Sequence, residues 1–169
     1  LHALTLAARL HMAGGETDTA RTLADEVYDL FLKQEQVKLP DVRILHDLNC
    51  VYADAPAARK EWIETLNEDR ILLGNSLPRD LLQTVLLDGA GRSDEAFSLL
   101  VGVWKRGVRE LTVFRSLEEL APRCGRLNEF RDLLLEYAPK DNVVQVLYAR
   151  RLVFLLRTSG RGAEARAYL

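Results

Sequence analysis

Gly91-Arg92-Ser93-Asp94-Glu95-Ala96 sits between two apolar runs of helical spacing, and near-copies of it recur along the chain. They are Gly15-Glu16-Thr17-Asp18-Thr19-Ala20, Ala53-Asp54-Ala55-Pro56-Ala57-Ala58, Gly125-Arg126-Leu127-Asn128-Glu129-Phe130 and Gly160-Arg161-Gly162-Ala163-Glu164-Ala165. Their closing residues lie 38, 38, 34 and 35 residues apart. A period in this range marks helical hairpins, units that bury their apolar faces by stacking on one another. The expected fold is therefore all-α, a right-handed α-solenoid of about five helix-turn-helix repeats.

Apolar spacing around the signatures supports helices. Ala20, Leu23, Ala24, Val27 and Phe31 share one face, as do Ala58, Trp62 and Leu66, and Phe130, Leu133, Leu134 and Tyr137. Steps of three and four residues follow a 3.6-residue turn. First helices are predicted at 2–13, 40–53, 78–89, 110–123 and 142–158. Second helices are predicted at 18–35, 56–70, 94–106, 128–138 and 163–169. Pro40 and Pro78 stand at first-helix starts, where a missing N–H is harmless. Gly74-Asn75 and Pro139 end second helices. Thr17, Asp54, Ser93 and Asn128 are the expected N-caps. The repeats run about 1–36, 39–73, 77–108, 110–139 and 142–169, in a single domain. The chain starts at Leu1 and stops inside a predicted helix, which reads as a piece of a longer protein.

The totals exclude several classes. Of 169 residues, 48% are hydrophobic and 28% charged, a globular balance. No apolar run approaches the roughly 20 residues that span a bilayer. Net charge is −2, which argues against a nucleic-acid partner despite 18 Arg against 5 Lys. No targeting segment is legible, which leaves the compartment open, with a cytoplasmic setting slightly favoured. Cys50 and Cys124 have no partners at metal spacing, and His46 with Cys50 lacks two further zinc ligands. No cofactor, metal or catalytic residue is expected. The acidic pairs read as solvated helix faces. Gly89-Ala90-Gly91 lacks the strand and the lysine of a nucleotide loop.

These residues resemble the tetratricopeptide repeat family, in which a small residue opens the second helix and a large one follows four later. The matching pairs are Ala20/Ala24, Ala58/Trp62, Ala96/Leu100, Phe130/Leu134 and Ala165/Leu169. The resemblance covers the whole chain but is degenerate. No first helix carries the family's early Trp, and Asp80, Gln83 and Thr84 stand where small or apolar residues are expected. It implies a non-enzymatic scaffold that holds a peptide or helix in a groove lined by first helices.

Counting back fifteen and eleven residues from each closing residue points to that groove. Together with Arg157, the candidate line is Arg9, Arg43, Asp47, Arg115, Glu119, Arg150 and Arg157. Arginine suits bidentate capture of carboxylates, so an acidic protein or peptide partner is expected. Self-pairing of Arg43 with Asp47 and of Arg115 with Glu119 is the competing reading. End-to-end self-association through the last helix is a further expectation. The rival functions are RNA binding, as in pentatricopeptide repeats, and a scaffold arm of a larger enzyme or polysaccharide-secretion machine. Trp62 and Trp104 are both expected in packing between repeats, with Trp62→Ala costing about 3–5 kcal/mol.

Overall fold

The computed structural model describes residues 1–136 and 142–168. Among the described residues there are ten α-helices, two short 3-10 helices and no strand. They are α1 His2–Ala13, α2 Thr17–Leu32, α3 Leu39–Leu48, η1 Asn49–Tyr52 and α4 Pro56–Leu73. There follow α5 Leu77–Gly89, α6 Ser93–Lys105, α7 Leu111–Arg123, α8 Leu127–Glu136, α9 Asn142–Thr158, α10 Gly162–Ala165 and η2 Arg166–Tyr168. Every expected helix is present, with α3 giving way to η1 after Leu48 and α10 to η2 after Ala165, while the predicted ends at 138 and 169 lie outside the described residues. Tyr137, Pro139 and Leu169, which the sequence reading placed in the core, at a helix end and in a packing pair, lie outside the described residues. The chain divides into two compact units, Leu1–Ala96 and Phe97–Leu169, with the division falling inside α6.

Four turns share one construction. Gly15, Gly91, Gly125 and Gly160 have φ of 81°, 75°, 69° and 78°, a conformation that costs glycine nothing. In each, the glycine N–H bonds back three residues, to Met12, Asp88, Pro122 and Arg157. The next N–H bonds back five residues: Glu16 to His11, Arg92 to Leu87, Arg126 to Ala121 and Arg161 to Leu156. Carbonyls that the ending helix would leave bare are thereby satisfied. Three turns are also clipped by a charged pair. Arg92, Arg126 and Arg161 each grip the carboxylate three residues on, Glu95, Glu129 and Glu164, with two nitrogens. At α2 and α4 no side chain caps the helix, and Ser93 and Asn128 lie inside α6 and α8. Glu16 and Ala55, not Thr17 and Asp54, precede their helices, and Ser93 gives its hydroxyl to Asp88 at 2.7 Å.

Within the first unit, α1 packs on α2, and α1, α3 and α5 are neighbours in succession. Ala20, Ala24, Val27, Phe31, Leu45, Leu48, Leu66, Leu81 and Leu86 are fully buried there. In the second unit α7, α8 and α9 pack together and α10 rests on α9. Its core is a run of rings and leucines: Trp104 lies 6.3 Å from Phe114, which lies 5.9 Å from Phe130. Phe130 fills the small-residue place, and its ring meets Phe114 on α7.

Residues Asp80 to Asp88 of α5 are all buried, polar ones included. Asp80 accepts from Arg70 Nη2 at 3.0 Å, and Gln83 accepts from the same nitrogen. Gln83 Nε2 donates to Asn67 Oδ1 at 2.7 Å, and Thr84 donates to the Asp80 carbonyl at 2.8 Å. α4 runs on to Leu73 and so carries Asn67 and Arg70 against α5. The sequence mismatch in the third repeat is therefore a hydrogen-bonded polar seam, not a misplaced helix.

Gly89 is packed against a side chain instead of sitting at a positive φ like the turn glycines. A Cβ there would stand 2.4 Å from Asn49 Oδ1, and Asn49 Nδ2 donates to Val85 O at 3.3 Å. Gly89→Ala is expected to lower stability in urea by about 1–3 kcal/mol, the usual cost of overpacking. Adding Asn49→Ala should recover part of that loss. Purely additive losses in the double variant would show that the two residues do not collide.

Candidate functional site

The second hairpin lacks the turn glycine and solves the same problem with a side chain. α3 ends at Leu48 and the chain tightens into η1. Ala53 N–H then bonds the carbonyl of Cys50 rather than that of Asn49. The freed Asn49 carbonyl accepts from Arg59 Nη2 at 2.9 Å, and Arg59 Nη1 donates to the carbonyl of Gly89 at the end of α5. One guanidinium thus caps two helix ends, where the backbone carries partial negative charge.

Arg59, not Ala58, is the fourth residue of its helix, as Ala20, Ala96, Phe130 and Ala165 are of theirs. Its N–H takes the carbonyl of Ala55, as Ala20 takes that of Glu16. Arg59 is 8% exposed and Ile63, four on, is buried. The pair read from sequence as Ala58/Trp62 is accordingly displaced by one residue. Both of its members are half-buried instead of packed in the core. Counting on from Pro56, which opens α4, gives the correct register.

The slip has a consequence for the candidate line. Fifteen and eleven residues before Arg59 stand Ile44 and Leu48, both buried, while Arg43 and Asp47 are exposed beside them. Arg9 on α1 reaches Asp47 on α3 at 3.9 Å, so Asp47 pairs across two helices. Both side chains are more than half exposed, and such a pair contributes little. In the second unit Arg115 bonds Glu118, which also receives Arg151 at 3.3 Å, while Glu119 is exposed. Arg150 and Arg157 on α9 are exposed. Arg9, Arg43 and Asp47 thus belong to the first unit, and Arg115, Glu119, Arg150 and Arg157 to the second.

Many other arginines hold the fold. Arg92 and Arg161 have their pKa raised by hydrogen bonds to Glu95 and Glu164, and those carboxyls are held below their usual range. Arg126 also covers the Phe97 ring at 4.5 Å. The recurring Arg-x-x-Glu after glycine was visible in the sequence and marks these clips. Among the described residues no group of three or more His, Cys, Asp or Glu could hold a metal ion. The thiols of Cys50 and Cys124 donate to the carbonyls of Asp47 and Leu120. No described helix is long and apolar enough to cross a membrane.

Trp104 is fully buried, as expected. Trp62 is half-buried, its ring edge-on to Tyr28 at 5.4 Å and its Nε1 donating to Asp25 Oδ1 at 2.7 Å. Tyr52 also donates to Asp25 Oδ1, and its ring stacks on Tyr28 at 5.6 Å. Burial raises the pKa of both tyrosines, and the Asp25 hydrogen bond raises that of Tyr52 further. Nothing in the sequence spacing ties Asp25, Tyr52 and Trp62 together, because they come from three different elements.

No protein-family model matches the chain, and no curated protein matches it. Among solved structures, MamA AMB-1 in the P212121 crystal form is similar over 98% of this chain and 86% of its own, at 20% identity and a TM-score of 0.45. MamA MSR-1 in the C2 form is similar over 98% and 90%, at 18% identity and a TM-score of 0.42. Likeness this distant assigns no function, which must come from the chain's own geometry.

Two expectations follow. Trp104→Ala should cost about 3–5 kcal/mol, as for a filled core site, whereas Trp62→Ala should cost clearly less. Urea unfolding of the two variants orders them, and equal losses would put Trp62 back in the core. Tyr148 donates to the Leu134 carbonyl, and burial pushes its pKa up to about 12. The unfolded tyrosine ionises near pH 10. Its contribution is therefore complete below about pH 10 and lost as pH rises toward about 12. Tyr148→Phe should flatten the fall of stability over that window, measured by denaturant midpoints.

Proposed function

We propose that the chain is a solenoid of tetratricopeptide-like hairpins that works as a non-enzymatic scaffold, binding a protein or peptide along its first helices. The observation that carries this reading is the four-fold recurrence of one turn, bond for bond, at Gly15, Gly91, Gly125 and Gly160. A sequence that repeats its turn chemistry so closely is built to repeat a module. Stacked modules create extended surface rather than a closed pocket for chemistry. The second-helix register supports the same reading, with Ala20, Ala96 and Ala165 buried at the fourth position.

The exposed charges on the first helices suit an acidic segment. Arg43 and Arg150 are exposed on α3 and α9. Such contacts steer encounter and discriminate partners more than they add affinity. Arg9, Arg115 and Arg157 would assist, with Asp47 and Glu119 disfavouring a continuous polyanion. Net charge −2 points the same way, away from RNA.

The test is fluorescence-anisotropy binding to an acidic, a basic and an apolar peptide and to single-stranded RNA, at two salt concentrations. Acidic-peptide binding that weakens with salt and is lost in Arg43→Glu/Arg150→Glu is expected. Binding confined to RNA, or acidic-peptide binding indifferent to the double reversal, would overturn the reading.

A further inference from the structure

The half-buried Trp62 does not lie flat against the core. It forms one wall of a cavity of about 360 Å³ between α2, η1 and α4, wholly within the first unit. Arg21 and Asp25 come from α2, Tyr52 from η1, and Ala58, Glu61 and Trp62 from α4. The one-residue register of α4 creates the space. With Arg59 turned inward, Ala58 faces the cavity and supplies only a methyl group.

Hydrogen bonds and ring contacts hold the cavity wall together. Asp25 Oδ1 receives two neutral donors, the Tyr52 hydroxyl and the Trp62 indole N–H. These fix the carboxylate without supplying a positive charge. Tyr28 braces both rings from below, stacked on Tyr52 and edge-on to Trp62. Glu61 is exposed in the same lining. Neither Asp25 nor Glu61 forms an ion pair among the described residues, while the lining's one arginine, Arg21, is paired with Asp18 at 3.4 Å. The cavity therefore offers two carboxylates against one guanidinium, Arg21, which is already turned to Asp18, beside an aromatic wall.

That combination selects a cation. An ammonium would satisfy the charge, but a guanidinium also lies flat on an indole face and bonds a carboxylate with two parallel N–H groups. We infer that this cavity on the second helices receives an arginine side chain from a partner protein. It is separate from the first-helix arginines, which call for the opposite charge. The inference rests on the scaffold reading only for the source of the arginine.

The experiment is a ¹H–¹⁵N titration of the full chain with acetyl-Gly-Arg-Gly-amide and with its citrulline counterpart, which keeps the shape and loses the charge. The Trp62 indole resonance should shift saturably with the arginine peptide and stay still with the citrulline one. The buried Trp104 indole serves as the internal control. Asp25→Asn keeps an acceptor for Tyr52 and Trp62 but loses the charge, and should weaken the response by about tenfold, near 1.4 kcal/mol. Glu61→Gln, at an exposed position, should weaken it less. A scaffold that failed the acidic-peptide test could still pass this one. Equal responses to arginine and citrulline, no saturable shift, or an undiminished response in Asp25→Asn would overturn the inference.

Discussion

A helix that must reverse direction within three residues leaves its last carbonyls without partners, and this chain's architecture follows from how it answers that constraint. Four times the answer is a glycine at positive φ with paired bonds back into the ending helix. The fifth time it is Arg59, which reaches two carbonyls at once. The two answers differ in what they fix. A glycine turn closes one hairpin and lets the next helix begin two residues on. Arg59 ties the end of its own first helix to the end of α5, so it sets the spacing of two hairpins. The contact is close enough that a methyl group at Gly89 would have to displace the Asn49 side-chain amide.

Arginine is the chain's preferred polar tool, and most of its uses are internal. Arg59 holds helix ends, Arg70 enters the polar seam of α5, and Arg92, Arg126 and Arg161 clip turns. A planar fork with five donors satisfies several acceptors with little further loss of freedom, which lysine cannot match. The surplus of arginine over lysine therefore says more about turns and seams than about ligands. Arg43 and Arg150, exposed on α3 and α9, are left without such duties.

Helices were legible because apolar periodicity and turn residues agree over long stretches. The carved pairs of small and large residues were legible in three hairpins, where glycine fixes the count: Ala20/Ala24, Ala96/Leu100 and Phe130/Leu134 are all buried. They failed at Ala58/Trp62, because without a glycine the tally began one residue early. A buried arginine does not look like a small residue, so no composition rule would have proposed Arg59. The seam at Asp80, Gln83 and Thr84 was equally opaque. Its partners Asn67 and Arg70 lie on the preceding helix, inside its predicted bounds, and no spacing ties them to positions on α5.

The slip at residue 58 links the fold to the candidate site. Were Ala58 the close-packing residue, Trp62 would fill the gap to a neighbouring helix and no cavity would open beside it. Arg59 takes the inward place because the bare carbonyls of Asn49 and Gly89 need donors more than the core needs a methyl group. One step round the helix, Ala58 and Trp62 are turned toward Asp25 and Tyr52. A structural need at helix ends thus leaves an aromatic wall and a hydrogen-bonded carboxylate beside the surface of α4.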